Sequence, residues 1–329
     1  MTNDILKLKE KFEALYPQYA KKLSAASEAD FDDVYESILA EKRNEVTKAL
    51  KANRQNAKCK GSDNDDYYAP ITLQPDEYKR CINAEGSGIE AIVKELMNKM
   101  DVLKKCSEEG NNELFAAQLY SCGLAAITPA GFTEFVNSLN KGEKIAAAIL
   151  SGVVVVGLFT IMGVLELLVL AVLIPVFYMK KPAMAIIAVI NELEEAVYYD
   201  SQYFNHGDQV GTTAEISGAF ILPSAGYYNL GFFTGSKKKN ALYGVQGAYT
   251  LKDQSDTKFT FGFDCPLSSL YVDNNCYCGI NLSAEEACKK TDDKNKQEWS
   301  DSDGQHGMSI KCNSPKGSYA YYIGRIFSK

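Results

Sequence analysis

The sequence predicts an α+β protein in three parts. An N-terminal helical bundle spans residues 1–143, a central hydrophobic helical hairpin spans 144–181, and a C-terminal antiparallel β-sandwich spans 182–329. Three observations predict it. Apolar residues recur at helical spacing in the first part. One nearly uncharged apolar run fills the middle. Short strands separated by turn residues at roughly 10-residue spacing fill the last.

In the first part, Ile5, Leu8, Phe12, Leu15, Tyr19 and Leu23 share one helix face. Asp30 is placed to cap a second run carrying Phe31, Val34, Ile38, Val46 and Leu50. Residues 58–75, "KCKGSDNDDYYAPITLQP", are polar with Gly and Pro and read as a long loop. A third run carries Tyr78, Ile82, Ile89, Ile92, Leu96, Met100 and Leu103, and a fourth begins at Asn112. Such stripes build the core of a helical bundle.

The middle reads "KIAAAILSGVVVVGLFTIMGVLELLVLAVLIPVFYMKK", Lys144 to Lys181, with Glu166 the only charge between the flanking lysines. A single spanning helix needs about 20 residues, and the hydrocarbon core is about 30 Å thick. One straight helix over 145–179 would run about 52 Å, which overshoots. Two arms, 145–161 and 164–179, meeting at Met162 and Gly163, fit better. Residues expected to insert are Ile145, Leu150, Val153, Val156, Phe159, Met162, Gly163, Glu166, Leu170, Leu173 and Phe177. Glu166 is expected near the tip. Lys144, Lys180 and Lys181 are expected to anchor both ends at one interface. A single tilted helix, a β-hairpin and a core hairpin that never meets lipid are the competing readings.

From Glu215 onward, "EISGAFILPSAG", "YYNLGFFTG", "ALYGVQGAYTLKD", "TKFTFGFDCP", "GMSIKC" and "SYAYYIGRIF" read as strands. Residues 182–209 read as either a helix or a strand, a turn and a strand. Residues 283–305 read as a polar insert with at most a helical turn. Aromatics crowd the strands. Tyr227, Tyr228, Phe232, Phe233 and Tyr271 are candidates for contact with a lipid headgroup or receptor, because Tyr favours the membrane interface.

Composition excludes several functions. The net charge is −7, divided as 19 basic and 24 acidic residues over 1–143 and 13 and 17 over 183–329. Neither part has the basic face that nucleic acid requires. Mean hydropathy is −0.20, unlike a multi-pass membrane protein. No phosphate loop, metalloprotease helix or nucleophile elbow is present, so neither an enzyme nor a cofactor is expected. The nine cysteines are an odd number. Those at 265, 276, 278, 288 and 312 suggest a partial disulfide framework. "CYC" at 276–278 has no partner pair of ligands, and His206 and His306 are the only histidines, so no metal site is expected. The N-terminus lacks the basic head and apolar run of a secretory signal.

Pro223 after an apolar strand, the strand end from Gly247 to Asp253, and the block Phe263-Asp264-Cys265-Pro266 resemble the aegerolysins over roughly 183–329. These are small β-sandwich proteins that bind membrane lipids and act with a partner to form pores. Where that family carries tryptophans around the Asp-Cys-Pro block, this chain has Phe263 and Leu267. The whole architecture resembles the α-helical pore-forming toxins of the cytolysin A and haemolysin BL type. Together the likenesses imply a secreted cytolysin, soluble as a monomer, that inserts its hairpin on oligomerising in a target cell membrane. Its partners would be membrane lipids or a surface receptor, other copies of itself, and a second protein component. The competing expectations are a permanently anchored adhesion or signalling protein and a soluble lipid-binding protein.

Overall fold

The computed structural model describes residues 3–52, 67–68, 70–83, 163, 166–179, 183–221, 226–238, 241–267, 273–292 and 296–329. Lys144, Ile145, Leu150, Val153, Val156, Phe159, Met162, Lys180, Lys181 and Tyr271 lie outside the described residues, as do the first hairpin arm and the third and fourth helical runs beyond residue 83.

Six helices are described. They are α1 (Asn3–Leu15), α2 (Pro17–Ala25), α3 (Phe31–Ala52), α4 (Pro75–Ile82), α5 (166–178) and α6 (Ala284–Lys290). The face running from Ile5 to Leu23 is split because Pro17 starts α2 at its first turn and cannot continue α1. α4 and α6 each begin with a capping box, Gln74 with Glu77 and Ser283 with Glu286.

Fourteen strands are described: β1 (Tyr67–Tyr68), β2 (Ile71–Leu73), β3 (Met184–Asn191), β4 (Val197–His206), β5 (Asp208–Thr213), β6 (Glu215–Ile216), β7 (Phe220–Ile221), β8 (Gly226–Ser236), β9 (Val245–Lys252), β10 (Lys258–Cys265), β11 (Asn275–Ile280), β12 (Glu298–Ser302), β13 (His306–Cys312) and β14 (Tyr319–Ser328). They form two open sheets. The larger has the order β1-β5-β8-β3-β14-β13-β12, with β2 and β7 also on β8. The smaller has the order β11-β10-β9-β4-β6. Helices come first and sheets last, as expected. The sandwich is mixed rather than antiparallel, because β14 pairs parallel with β3 and β1 pairs parallel with β5. The expected loop at 58–75 contributes β1 and β2 to the larger sheet.

Two cores share the larger sheet. Ala185, Ile187 and Val189 of β3 point toward the smaller sheet and pack with Phe233, Tyr249, Phe261, Phe263 and Tyr322. Met184, Ile186, Ala188 and Ile190 point the other way, toward the helices, with Leu230, Phe232 and Ile323. All eight residues of β3 are therefore buried, so the strand reads as a continuous apolar run without alternation. This explains why 182–209 was ambiguous between helix and strand.

The expected disulfide framework is absent among the described residues. Cys265, Cys276, Cys278, Cys288 and Cys312 are free thiols, and all are buried. They act as small apolar core residues, four of them between the two sheets.

Candidate functional site

The outer face of the larger sheet does not meet solvent over its centre. α5 lies on it, and α1, α2 and α3 cover α5. Every residue from Leu167 to Ile174 is at most 2 % exposed, and Val176 and Phe177 at most 6 %. A helix apolar on all sides is stable in water only when enclosed on all sides. The amphipathic stripes of α1–α3 provide one wall through Phe12, Tyr19, Leu23, Phe31, Ile38 and Leu39. The sheet provides the other. The nine large apolar side chains of α5 represent roughly 15–25 kcal/mol of transfer free energy relative to a solvated helix.

Polar contacts fasten α5 along its length. At its start, Glu166 forms an ion pair with Lys42 of α3. Further on, Tyr35 of α3 donates to the Ala171 carbonyl at 2.8 Å. Tyr319 of β14 donates to the Pro175 carbonyl at 2.7 Å. Tyr178, at the end, donates to Glu13 of α1 at 2.9 Å, and Phe12 meets Phe177 edge-on at 5.5 Å. The pairings 42 with 166 and 35 with 171 show α3 and α5 running antiparallel. Burial disfavours the charged form of Lys42, but hydrogen bonds to Glu166 and Glu45 outweigh it and raise its pKa. The two hydrogen bonds thus favour the ammonium form of Lys42.

Gly163 and Glu166, expected at a hairpin tip, lie against α3. A Cβ on Gly163 would approach Val46 Cγ2 to 3.1 Å. Leu170, Leu173 and Phe177 are wholly inside the enclosure. The described arm has 13 residues, about 20 Å of helix, and about 30 Å is needed to span. Among the described residues, no helix is long and apolar enough to cross a membrane.

Of the aromatic candidates, Phe232 faces the helices and Phe233 lies between the sheets, both buried. Tyr227 is buried. Tyr228 is half-buried against Tyr78, with ring centroids 4.4 Å apart. Successive residues of β8 serve two cores in this arrangement, Tyr228 and Phe232 on the helix side and Phe233 between the sheets. Burial, with the nearby Glu192 charge adding, pushes the Tyr78 hydroxyl up to about 12, so it serves as a donor and acceptor rather than an acid. The Arg325 guanidinium reaches it at 3.2 Å while pairing with both oxygens of Glu192.

The exposed large apolar side chains among the described residues are Leu6 and Leu15 of α1 and, more fully exposed, Leu242 and Tyr243. Leu242 is 86 % and Tyr243 65 % exposed, in the connection between β8 and β9. Tyr243 stacks on His206 at 4.7 Å, and Lys237 and Lys238 precede them. An exposed Leu-Tyr pair beside lysines has the chemistry of an interfacial contact. Leu242 was absent from the expected contact residues, because "NALYGV" reads as the start of a strand. The same connection meets the end of α5. Leu242, Lys237 and Lys238 line a cavity of about 290 Å³ together with Tyr178, Met179, Leu23 and Phe31.

No known family profile matches the chain, and no curated protein sequence matches it. Similar solved structures include the lipid binding protein Nakanori, 15 % identical with a TM-score of 0.37 over 45 % of this chain and 71 % of that one. A lectin of Xerocomus chrysenteron is 7 % identical with a TM-score of 0.29 over 44 % of this chain and 99 % of that one. IP-1A of Alcaligenes faecalis is 14 % identical with a TM-score of 0.29 over 45 % of this chain and 93 % of that one. Likenesses of this size define no family.

Proposed function

We propose that this protein is a membrane-inserting protein of the pore-forming type, held in a form that shelters its insertion segment. The observation that carries the reading is the enclosure of α5, apolar on every side, between amphipathic helices and a sheet. Lipid tails are as apolar as a leucine core. Transferring α5 from protein to bilayer therefore exchanges one apolar environment for another, and the large burial term nearly cancels. The balance is left to packing and to a handful of polar contacts. Those contacts come mainly from α1 and α3, which make the removable wall.

The Leu242–Tyr243 connection would meet the target surface, and its position at the end of α5 would couple contact to release. In the membrane, 145–179 would span as a hairpin and copies of the chain would assemble, with or without a second component. The cavity beside Leu242 is a joint between moving parts in this reading. At about 290 Å³ it falls below the usual range for a small-molecule pocket and does not hold a diacyl lipid.

The test uses the full chain and vesicles made from a natural lipid extract. Photoactivatable phospholipid should cross-link peptides within 145–179, amides of 166–178 should lose their protection pattern on vesicle binding, and entrapped dye should escape. Continued protection of 166–178 with neither cross-links nor leakage sinks the proposal. A chain that needs detergent throughout purification supports permanent anchoring instead.

A further inference from the structure

At one end of the sandwich, three parts of the chain bring Glu195, Asp253 and His306 together. Their ligand atoms lie within 4.8 Å of one another. Each residue is placed by its own local device. The turn carrying Glu195 follows β3 and is held by Asn191. This fully buried amide donates to the Glu195 carbonyl at 2.8 Å and to the Ile216 and Ser217 carbonyls, and it accepts from the Leu193 amide. Gly218 allows close approach to this turn, since a Cβ there would lie 1.9 Å from the Glu194 carbonyl oxygen.

Asp253 ends β9. Its Oδ1 accepts from the amides of Ser255 and Thr257, both at 2.8 Å. Its Oδ2 is buried and has no hydrogen-bond partner among the described residues, in a residue only 3 % exposed. His306 opens β13. Its Nδ1 lies 3.3 Å from Asp303 Oδ2, and Asp303 Oδ1 also accepts the His306 amide at 2.8 Å. A proton on Nδ1 directed at Asp303 leaves the Nε2 lone pair facing Asp253 Oδ2, 3.9 Å away. That separation is too long for a hydrogen bond. It is close to the spacing of two ligands that share one ion, roughly 3–3.5 Å for bonds of about 2.1 Å. A buried carboxylate oxygen without a partner is costly, and a cation at this point would satisfy it.

We propose that Glu195, Asp253 and His306 form a binding site for a divalent cation of the zinc class. One imidazole with two carboxylates favours zinc and its transition-metal neighbours over calcium or magnesium, which take more oxygen ligands. Asp303 fills the outer role that carboxylates commonly play behind a ligating histidine. Three protein ligands leave a fourth position open. Glu195 and His306 are only partly buried, so the site is accessible from outside. The ion would tie the β3–β4 turn, the end of β9 and the start of β13 together across both sheets. It would also offer an acceptor point for an oxygen-rich ligand.

Zinc alone is the first probe. The full chain, stripped with chelator and dialysed, is titrated with Zn²⁺ by calorimetry, and its thermal midpoint is followed. One equivalent should bind with micromolar or better affinity, and the midpoint should rise by several degrees at tenfold excess. Co²⁺ in its place should give visible d–d bands without a thiolate charge-transfer band, which separates this site from the cysteines. E195Q, D253N and H306Q should each weaken uptake at least tenfold. D253N keeps the Oδ1 acceptor that its turn needs, and E195Q, on the half-buried residue, carries the comparison if D253N does not fold. Absence of uptake, uptake unchanged in E195Q and H306Q, or tighter binding of Ca²⁺ than of Zn²⁺ would overturn the assignment.

Discussion

The hydroxyl of Tyr35 donates to the carbonyl of Ala171 at 2.8 Å, deep in the interface between α3 and α5. This bond answers a defect set by the sequence four residues on. In an α-helix the carbonyl at position 171 accepts from the amide at position 175, and Pro175 has no amide hydrogen. The freed carbonyl is buried, and Tyr35 satisfies it from the neighbouring helix. Tyr35→Phe should therefore cost about 1–2 kcal/mol, measured as a lower denaturant midpoint. In a Pro175→Ala background the helix supplies its own donor, and the same substitution should cost much less. Equal costs in both backgrounds, read in a double-mutant cycle, would show that the two residues are not coupled.

The ion pair of Lys42 and Glu166 holds the start of α5, with both side chains mostly shielded from solvent. Glu166→Lys places two ammonium groups together and should loosen that end by about 1 kcal/mol. Hydrogen exchange over 166–178 should quicken, and lipid cross-linking should need less vesicle. Combining it with Lys42→Glu should restore slow exchange. A double variant as loose as the single one would mean that the pair does not hold the helix.

Asp264 gives the fold a pH dependence. Burial, with repulsion from Asp292 adding, pushes its carboxyl up to about 7, against about 3.9 in an unfolded chain. Between those values the folded state keeps a proton that the unfolded state has lost. The contribution to stability is thus fully present below pH 4 and is lost as pH rises through 7, by roughly 3–4 kcal/mol. Urea titrations at pH 5 and pH 8 should show about 2–3 kcal/mol of this loss in the native chain, and Asp264→Asn should flatten it. An unchanged slope in the variant would assign the pH dependence to other groups.

The thiols should be silent in the native state. Burial raises the pKa of Cys265, Cys276, Cys278 and Cys312, in Cys312 to about 12, and reactivity follows the thiolate. Peptide mapping after brief alkylation should find these four unmodified in native protein and fully modified in urea, without reductant. Any one of them recovered as a disulfide would contradict the structure.

Elements with a single apolar stripe, or with clear bounding turns and aromatics, were legible in the sequence. α3 was found from Phe31, Ile38 and Val46, and β8, β9, β10 and β14 from their turns and aromatics. The ambiguity at 182–209 came from β3, which is apolar on both faces and shows no period. β1 and β2 were hidden in a polar stretch because their partners, Thr212 and Leu230, lie far away in sequence. β11, "NCYCGI", was lost to the reading of its cysteines as cross-links. For the candidate site, the apolar run announced itself, but its partners Tyr35, Glu13 and Tyr319 did not. A single tyrosine on a helix stripe looks like any other until the carbonyl it serves is placed. The cluster of Glu195, Asp253 and His306 had no local spacing at all, since its members come from three separate parts of the chain.

The parallel pairing of β14 with β3 has a consequence for biosynthesis. The platform under α5 needs Ile323 and Tyr321 of β14 as well as β3 and β8, and residues 179–318 must be made between α5 and that last strand. At ribosomal speeds this takes on the order of ten seconds. Throughout that interval the most water-averse part of the nascent chain has its helical cover already translated, and its floor not yet laid.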